Sequence, residues 1–406
     1  MGAREQVARR DPAVRAGSLA LAGSLLLAAC GGAGGGGDQE KVALPAPTPS
    51  WTFSPAPGAS DVAPDTAVTV TASDGKVTNV VLHDSAGERV DGEYDPDAGT
   101  WTAGHRLRVS EHYTVTASAL DSKGAVVEHD SDFSTLEVPE ADRLYAKTVA
   151  PHDGDVVGVA QPLVVGFNHP VRDKQAVQDA LHVETEVPGG GGEIEGAWYW
   201  VDDEFVDYRP KEFWPAGTKV TLHVDIGGLK AGPDRWGGGD RDLSFTIGRK
   251  QVIKVDVRTR VLKVVNGKGK VLRSFPVSTG RPGWETRNGT KVLMEKVLDK
   301  KWTNEAIDAP EFYRLKSSYA MRMTNSGEFI HDAPWATGTI GSANTSHGCV
   351  GLRVPDMKWV YNHSIVGDPV IVTHSKKPYT NLINRYADWN IDWDTWSAGN
   401  ADKEFL

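Results

Sequence analysis

From residue 51 to residue 373 the chain is written in short runs of Val, Ile, Leu, Thr and aromatic residues that alternate with polar ones, broken by Asp-Gly, Asn-Gly, Ala-Gly and Pro. A period of two gives each strand one apolar face, which stays dry only when another layer covers it. The runs at 67–71 (AVTVT), 113–117 (YTVTA), 162–167 (PLVVGF) and 218–224 (TKVTLHV) are of this kind. They fall in segments 51–137 and 140–248, which echo each other. Pro57-Gly58, Val62 and 68–70 in the first correspond to Asp153-Gly154, Val157 and 163–165 in the second. Short strands at regular spacing predict two β-sandwiches of immunoglobulin type. Neither segment gathers Cys, His and carboxylates at a catalytic spacing, so both read as spacers or contact modules.

The pattern sharpens at residue 250. Residues 251–265 (QVIKVDVRTRVLKVV) read as one long strand that turns at Asn266-Gly267, a hairpin signal, and returns through 271–277. Further strands are expected at 292–294, 319–323 and 370–372, and one helix at 355–363 (PDMKWVYNH). Residues 250–375 therefore form a third, mostly β domain. The remainder, 376–406, is polar but carries Tyr379, Tyr386, Trp389, Trp393 and Trp396. Aromatics at that density are expected to pack back on a neighbouring domain, with a short helix over 381–386.

With 44 basic against 54 acidic residues the net charge is −10, which argues against nucleic acid as a partner. The 44 glycines and 23 prolines among 406 residues fit the same loop-rich β architecture. Two cysteines, Cys30 and Cys349, are too few for a disulfide scaffold or a Cys-rich zinc site.

The N-terminus reads as an address. Arg4, Arg9, Arg10 and Arg15 precede an uncharged run at 16–29 (AGSLALAGSLLLAA), the layout of a secretory signal over residues 1–29. The run is shorter than the roughly 18 residues a membrane-spanning helix needs. It ends in Leu27-Ala28-Ala29-Cys30-Gly31, which resembles a bacterial lipobox and implies cleavage before Cys30, acylation of its thiol and attachment to the outer face of the cell membrane. Residues 30–50 then form a Gly- and Pro-rich tether. With Cys30 acylated, Cys349 is the one free thiol of an exported chain, exposed to oxidation and in need of a reason to persist.

Around that thiol the sequence is Ser346-His347-Gly348-Cys349-Val350-Gly351-Leu352-Arg353, with Phe329-Ile330-His331-Asp332-Ala333-Pro334-Trp335 upstream. A cysteine becomes a nucleophile near neutral pH when a neighbouring imidazole takes its proton or stabilises its thiolate. His331 on one strand can meet Cys349 across a sheet, with a carboxylate or main-chain carbonyl orienting its ring. The amides of Gly348 and Cys349 are candidates for an oxyanion hole. The spacing alone also admits a buried, inert Cys beside two structural histidines. A zinc site from His331, His347 and Cys349 is disfavoured, because His-X-Cys chelates awkwardly and no CxxC or HExxH accompanies it.

His331, then fourteen residues, then Ser346-His347-Gly348-Cys349 resembles the signature of L,D-transpeptidases with a YkuD-type catalytic domain. The longer HDAPW…NTSHGC text, and residues 208–220 and 245–248 upstream, resemble the actinobacterial members. Those members are lipoproteins with two immunoglobulin-like domains, the catalytic β-sandwich and an aromatic C-terminal extension. The resemblance implies Cys349 as nucleophile and His331 as base, with Asp332 orienting the imidazole through its carbonyl and its carboxylate adding to the effect. It also implies His347 and Gly348 beside the nucleophile and Tyr313, Ser326, Gly327 and Ser346 as substrate-binding residues. Position 351, often Asn or Arg in this family, is Gly351 here; on an extended segment Arg353 would alternate onto the same face and substitute for it.

The activity implied is formation of 3→3 cross-links between peptidoglycan stem peptides. Cys349 takes the acyl group of a tetrapeptide stem, releases D-Ala and passes the acyl group to a second stem's side-chain amine. The resemblance further implies acylation by carbapenem-type β-lactams; thiolate chemistry itself needs no metal or organic cofactor, and a monomer is expected. An L,D-carboxypeptidase sharing the acyl-enzyme and a non-catalytic wall-binding lipoprotein are the alternatives.

Overall fold

The computed structural model describes residues 48–403 except 309, 380, 381, 383 and 384. The expected signal 1–29, the Cys30 acylation site and the tether up to residue 47 lie outside the described residues. Among the described residues no helix is long and apolar enough to cross a membrane.

The architecture is mainly β. In the first sandwich, strands Ser50–Ser54, Thr69–Ser73, Thr100–Ala103 and Gly92–Asp95 form one sheet; Ala59–Val62, Val126–Thr135, His112–Leu120, Lys76–His83 and Arg89–Val90 form the other. Between them lie Val70, Leu82, Trp101, Tyr113 and Phe133, the side chains that alternation turns inward. The second sandwich pairs Ala146–Ala150, Leu163–Phe167, Phe205–Pro210 and Gly196–Trp200, and beside them Val156–Val157, Arg241–Ile247, Lys219–Val224 and Leu181–Glu186. Trp200, Trp214 and Phe245 fill its core.

Residues 251–373 build two more sheets around one core. One runs in the order Val271–Pro276, Val261–Asn266, Gln251–Asp256, Pro369–Thr373, Gly289–Val292; the other runs Glu295–Thr303, Arg314–Arg322, Phe329–Asp332, Val350–Leu352. Helix Val354–His363 contributes Met357 and Val360 to the apolar interior. The expected single strand over 251–265 is in fact a hairpin, Gln251–Asp256 against Val261–Asn266. The cause is Asp256: its carboxylate accepts the amides of Arg258 (2.9 Å) and Thr259 (3.0 Å), and Arg260 closes the turn at φ 54°. A side chain that bonds the backbone two residues on breaks a strand that periodicity alone would continue. The Asn266-Gly267 turn forms by the same device, with Asn266 accepting from Lys268 and Lys270.

The second sandwich meets the catalytic domain backbone to backbone. Gly158 N–H donates to Val366 O (2.7 Å) and Ala160 N–H to Gly367 O (3.0 Å). A Cβ at Gly158 would stand 2.2 Å from the Asp368 nitrogen, so only glycine permits this approach.

The C-terminal segment straps the two together. Asn390 accepts from Thr290 N–H and donates to Thr290 O (both 2.7 Å), adding a strand-like rung to the catalytic domain. Asn400 does the same with Trp200 of the sandwich, at 2.7 and 2.8 Å. Between them Trp389 donates to Ala160 O and Trp396 to Ala197 O, each at 2.8 Å. The Arg209 guanidinium lies over the rings of Trp389, Trp393 and Trp396 at 4.7–5.3 Å. Part of the helix expected over 381–386 lies outside the described residues; Arg385 and Tyr386 have positive φ, and the described helix of this segment is Trp393–Ser397.

Trp396 is fully buried and stacks on Tyr199 at 4.9 Å. Trp396→Ala should cost about 3–5 kcal/mol of stability. Urea unfolding checks it: an unchanged midpoint would show that the strap adds nothing to the sandwich.

Candidate active site

The site is set by strand pairing. Phe329–Asp332 runs parallel to Val350–Leu352 with His331 opposite Gly351, so Cys349, at the entry of its strand, lies beside Phe329. Alternation then turns Phe329, His331, Cys349 and Gly351 to the same face, where all four line one cavity of about 620 Å³. Lys300, Trp302, Tyr313 and Trp335 form further walls.

His331 is buried, and Trp335 stacks on its ring at 5.7 Å. Its Nδ1–H donates to the Asp332 carbonyl (2.8 Å), which leaves Nε2 as the basic nitrogen. Burial, outweighing that hydrogen bond and the Asp332 charge, holds the imidazole below its ordinary value of 6.5. The Asp332 carboxylate does not touch the ring. It accepts the amides of Ser318 (3.2 Å) and Tyr319 (2.6 Å) on the adjacent strand, so it acts on His331 only at a distance.

Cys349 is half-buried, and its thiol donates to Gly327 O at 3.6 Å. Burial pushes the thiol up to about 12; the Phe329 backbone and the Lys291 and Arg322 cations oppose this, and Glu328 adds to it. Both shifts favour uncharged forms. Of the two ways the sequence allows, these directions favour an imidazole that takes the thiol proton over one that stabilises a standing thiolate.

The nucleophile loop is held from within. Gly348 has φ 117°, and its carbonyl accepts from Thr286 Oγ1 (2.8 Å). Its amide donates to Ser346 Oγ (3.2 Å), and Ser346 donates to Cys349 O (2.6 Å). Gly348 N–H is thus spent on the loop; of the expected oxyanion pair, the Cys349 amide has no side-chain acceptor among the described residues. Ser346 lines the cavity but serves as a buttress. Gly351 exchanges two hydrogen bonds with Ser278, at 2.8 and 3.0 Å. A Cβ there would stand 3.3 Å from that of Ala333.

His347 lines the same cavity as the thiol but is engaged elsewhere. Its Nε2 meets Glu311 (3.2 Å), which also binds Arg281 (2.5 Å), and its ring stacks on Tyr313 at 5.6 Å. Ser326 and Gly327 lie on the cavity wall. Arg353 does not. The strand ends at Leu352 and Pro355 starts a helix, so Arg353 becomes the exposed N-cap and its alternation onto the Gly351 face is lost.

Sequence reasoning missed the support beneath the site. Lys291, fully buried, pairs with Glu328 at 2.7 Å, and Arg287 adds a second contact at 3.2 Å. Ser317 donates to Asp332 O (2.6 Å) and receives the indole N–H of Trp302 (2.8 Å). No motif marks these residues; the polar Ser317 on an otherwise alternating strand was the available signal.

Comparison with known proteins assigns the class. A bacterial Ig domain family matches residues 59–230, and the L,D-transpeptidase catalytic domain family YkuD matches residues 250–372. L,D-transpeptidase 2 of Mycobacterium tuberculosis (strain CDC 1551 / Oshkosh) is 34% identical over 358 residues, 87% of this chain and 85% of that protein. L,D-transpeptidase 5 of M. tuberculosis (strain ATCC 25618 / H37Rv) is 35% identical over 364 residues, covering 88% and 78%. A solved LD transpeptidase in complex with imipenem superposes with TM-score 0.48 at 31% identity, covering 56% of this chain and 97% of that one. The catalytic-domain match over residues 250–372 and the two relatives define an enzyme of the transpeptidase type. The chain belongs to the L,D-transpeptidase family.

A thiol raised by burial stays protonated through neutral pH and ionises only in strongly alkaline solution. The 240-nm thiolate absorbance, taken as the difference from Cys349→Ala, should stay flat up to pH 9 and rise beyond it. A rise centred near neutrality would contradict the neutral pair.

Proposed function

We propose that this enzyme forms 3→3 cross-links in peptidoglycan through an acyl-enzyme on Cys349. The observation that carries this reading is the parallel register that turns Cys349 and His331 onto one cavity face. Ser326 and Gly327 line the same cavity and offer main-chain groups to a bound peptide.

The steps follow from the neutral pair. As Cys349 Sγ attacks the carbonyl of the diamino acid at stem position 3, its proton passes to His331 Nε2, so no free thiolate need accumulate. The Cys349 amide stabilises the oxyanion, a donor worth about 3 kcal/mol in such sites. Collapse breaks the peptide bond, and the departing D-Ala nitrogen takes the proton from His331. A thioester remains. An acceptor side-chain amine gives a proton to His331 as it attacks, the C–S bond breaks, and the sulfur recovers that proton. Water in place of the amine would yield a carboxypeptidase. The strained carbonyl of a carbapenem-type β-lactam is an acyl donor for the same sulfur and would leave a stable adduct.

The reading extends to location. The lipobox-like residues around Cys30 support an acylated anchor on the outer membrane face.

With purified tetrapeptide muropeptides the enzyme should give cross-linked dimers and free D-Ala by mass spectrometry; Cys349→Ala should give neither. Tripeptide monomers alone would assign hydrolysis, and products from the variant would remove Cys349 from the chemistry. Separately, Cys30→Ala should move the protein from the membrane to the soluble fraction of cells, and unchanged membrane retention would refute the lipid anchor.

A further inference from the structure

A buried hydrogen-bond chain reaches the imidazole from the side away from the thiol. The Trp302 indole N–H donates to Ser317 Oγ (2.8 Å), and Ser317 O–H donates to Asp332 O (2.6 Å). The same carbonyl accepts His331 Nδ1–H (2.8 Å), and Ser317 Oγ itself lies 3.2 Å from Nδ1. Ser317 is fully buried. Its valences are all used: one proton given to the carbonyl, one lone pair taken by the indole, the other facing Nδ1–H. Hydroxyl rotation is therefore fixed by the indole, and Nδ1–H sees two oxygens.

We propose that Ser317, oriented by Trp302, is a positioning residue for His331: it fixes the Nδ1–H tautomer and supplies a second acceptor that strengthens as the ring becomes imidazolium. The proposal rests on the reading of His331 as the base. A main-chain carbonyl alone is a single acceptor, free to let the ring swing about its axis. A second oxygen from another strand defines the ring plane, and with it the direction of Nε2. The Trp302 ring packs against the imidazole at 4.7 Å and against Phe329 at 5.0 Å, so one side chain supplies both a wall and the hydrogen bond.

Few other groups compete for this role. On its own strand the imidazole has the Asp332 carboxylate, which is turned to the Ser318 and Tyr319 amides. From the adjoining strand it has Cys349, and from the remaining neighbours Trp302, Ser317 and Trp335. Among the described residues, Ser317 is therefore the polar side chain in hydrogen-bonding range of Nδ1.

The test uses the full chain and the rate of acylation by a carbapenem, followed as loss of β-lactam absorbance over pH. His331→Gln should abolish acylation; survival would sink the base reading itself. Ser317→Ala removes an acceptor from the imidazolium. The plateau rate should fall about tenfold, the loss of one modest hydrogen bond, and the acid limb should move to lower pH. Ser317→Thr should restore both, and Trp302→Phe should move both in the same direction by less. In a sample labelled with ¹⁵N-histidine, the His331 Nδ1–H resonance of Ser317→Ala should shift or broaden. An acid limb and ring resonance that stay at their wild-type positions in Ser317→Ala, with His331→Gln inactive, would overturn the relay while leaving the base assignment intact. Should Ser317→Ala not fold, a wild-type pH profile in Trp302→Phe would overturn it instead.

Discussion

Everything in the catalytic half depends on the parallel pairing of Phe329–Asp332 with Val350–Leu352. The fourteen residues between His331 and Ser346 are a crossover, since parallel neighbours cannot be joined by a tight turn. A slip of one residue in that pairing would turn His331 or Cys349 into the apolar interior. Ile330, Val350 and Leu352, fully buried on the opposite face, set the register because displacing them would expose apolar surface. Core packing on one side of a sheet thereby fixes chemistry on the other.

Burial governs the site a second time through solvation. It withholds charge from both the thiol and the imidazole, because neither ion is well solvated in a cavity walled by Trp302, Phe329 and Trp335. The Lys291–Glu328 pair lies below the nucleophile loop under the same constraint: a lone buried ammonium there would be costly, and the carboxylate makes it tolerable.

The sequence disclosed the fold class and the central pair because both have local signals. Alternation marks strands, and a His at a fixed distance from Ser-His-Gly-Cys marks the family. It disclosed less where a side chain overrides a period. Asp256 bends a run that alternates without a break, and Pro355 starts a helix where continued alternation would have placed Arg353 in the cavity. Hydrogen bonds to the backbone were also beyond reach. Nothing in the text says that the Gly348 amide is taken by Ser346, or that the Asp332 carboxylate faces Ser318. The Ser317–Trp302 contact joins positions on antiparallel strands whose separation in sequence reveals their meeting only once the register is known.

The strap has a consequence for how the molecule comes into being. Trp396 and Asn400 complete a sandwich whose own strands are finished by residue 247, and Asn390 closes on a strand that begins at residue 289. On a chain made from its N-terminus, the middle module must wait for residues 389–400 before its surface is sealed. Premature termination after the catalytic strands would leave every proposed reacting group present, yet would strand the Arg209 guanidinium without its indole cage and open the seam between neighbouring modules.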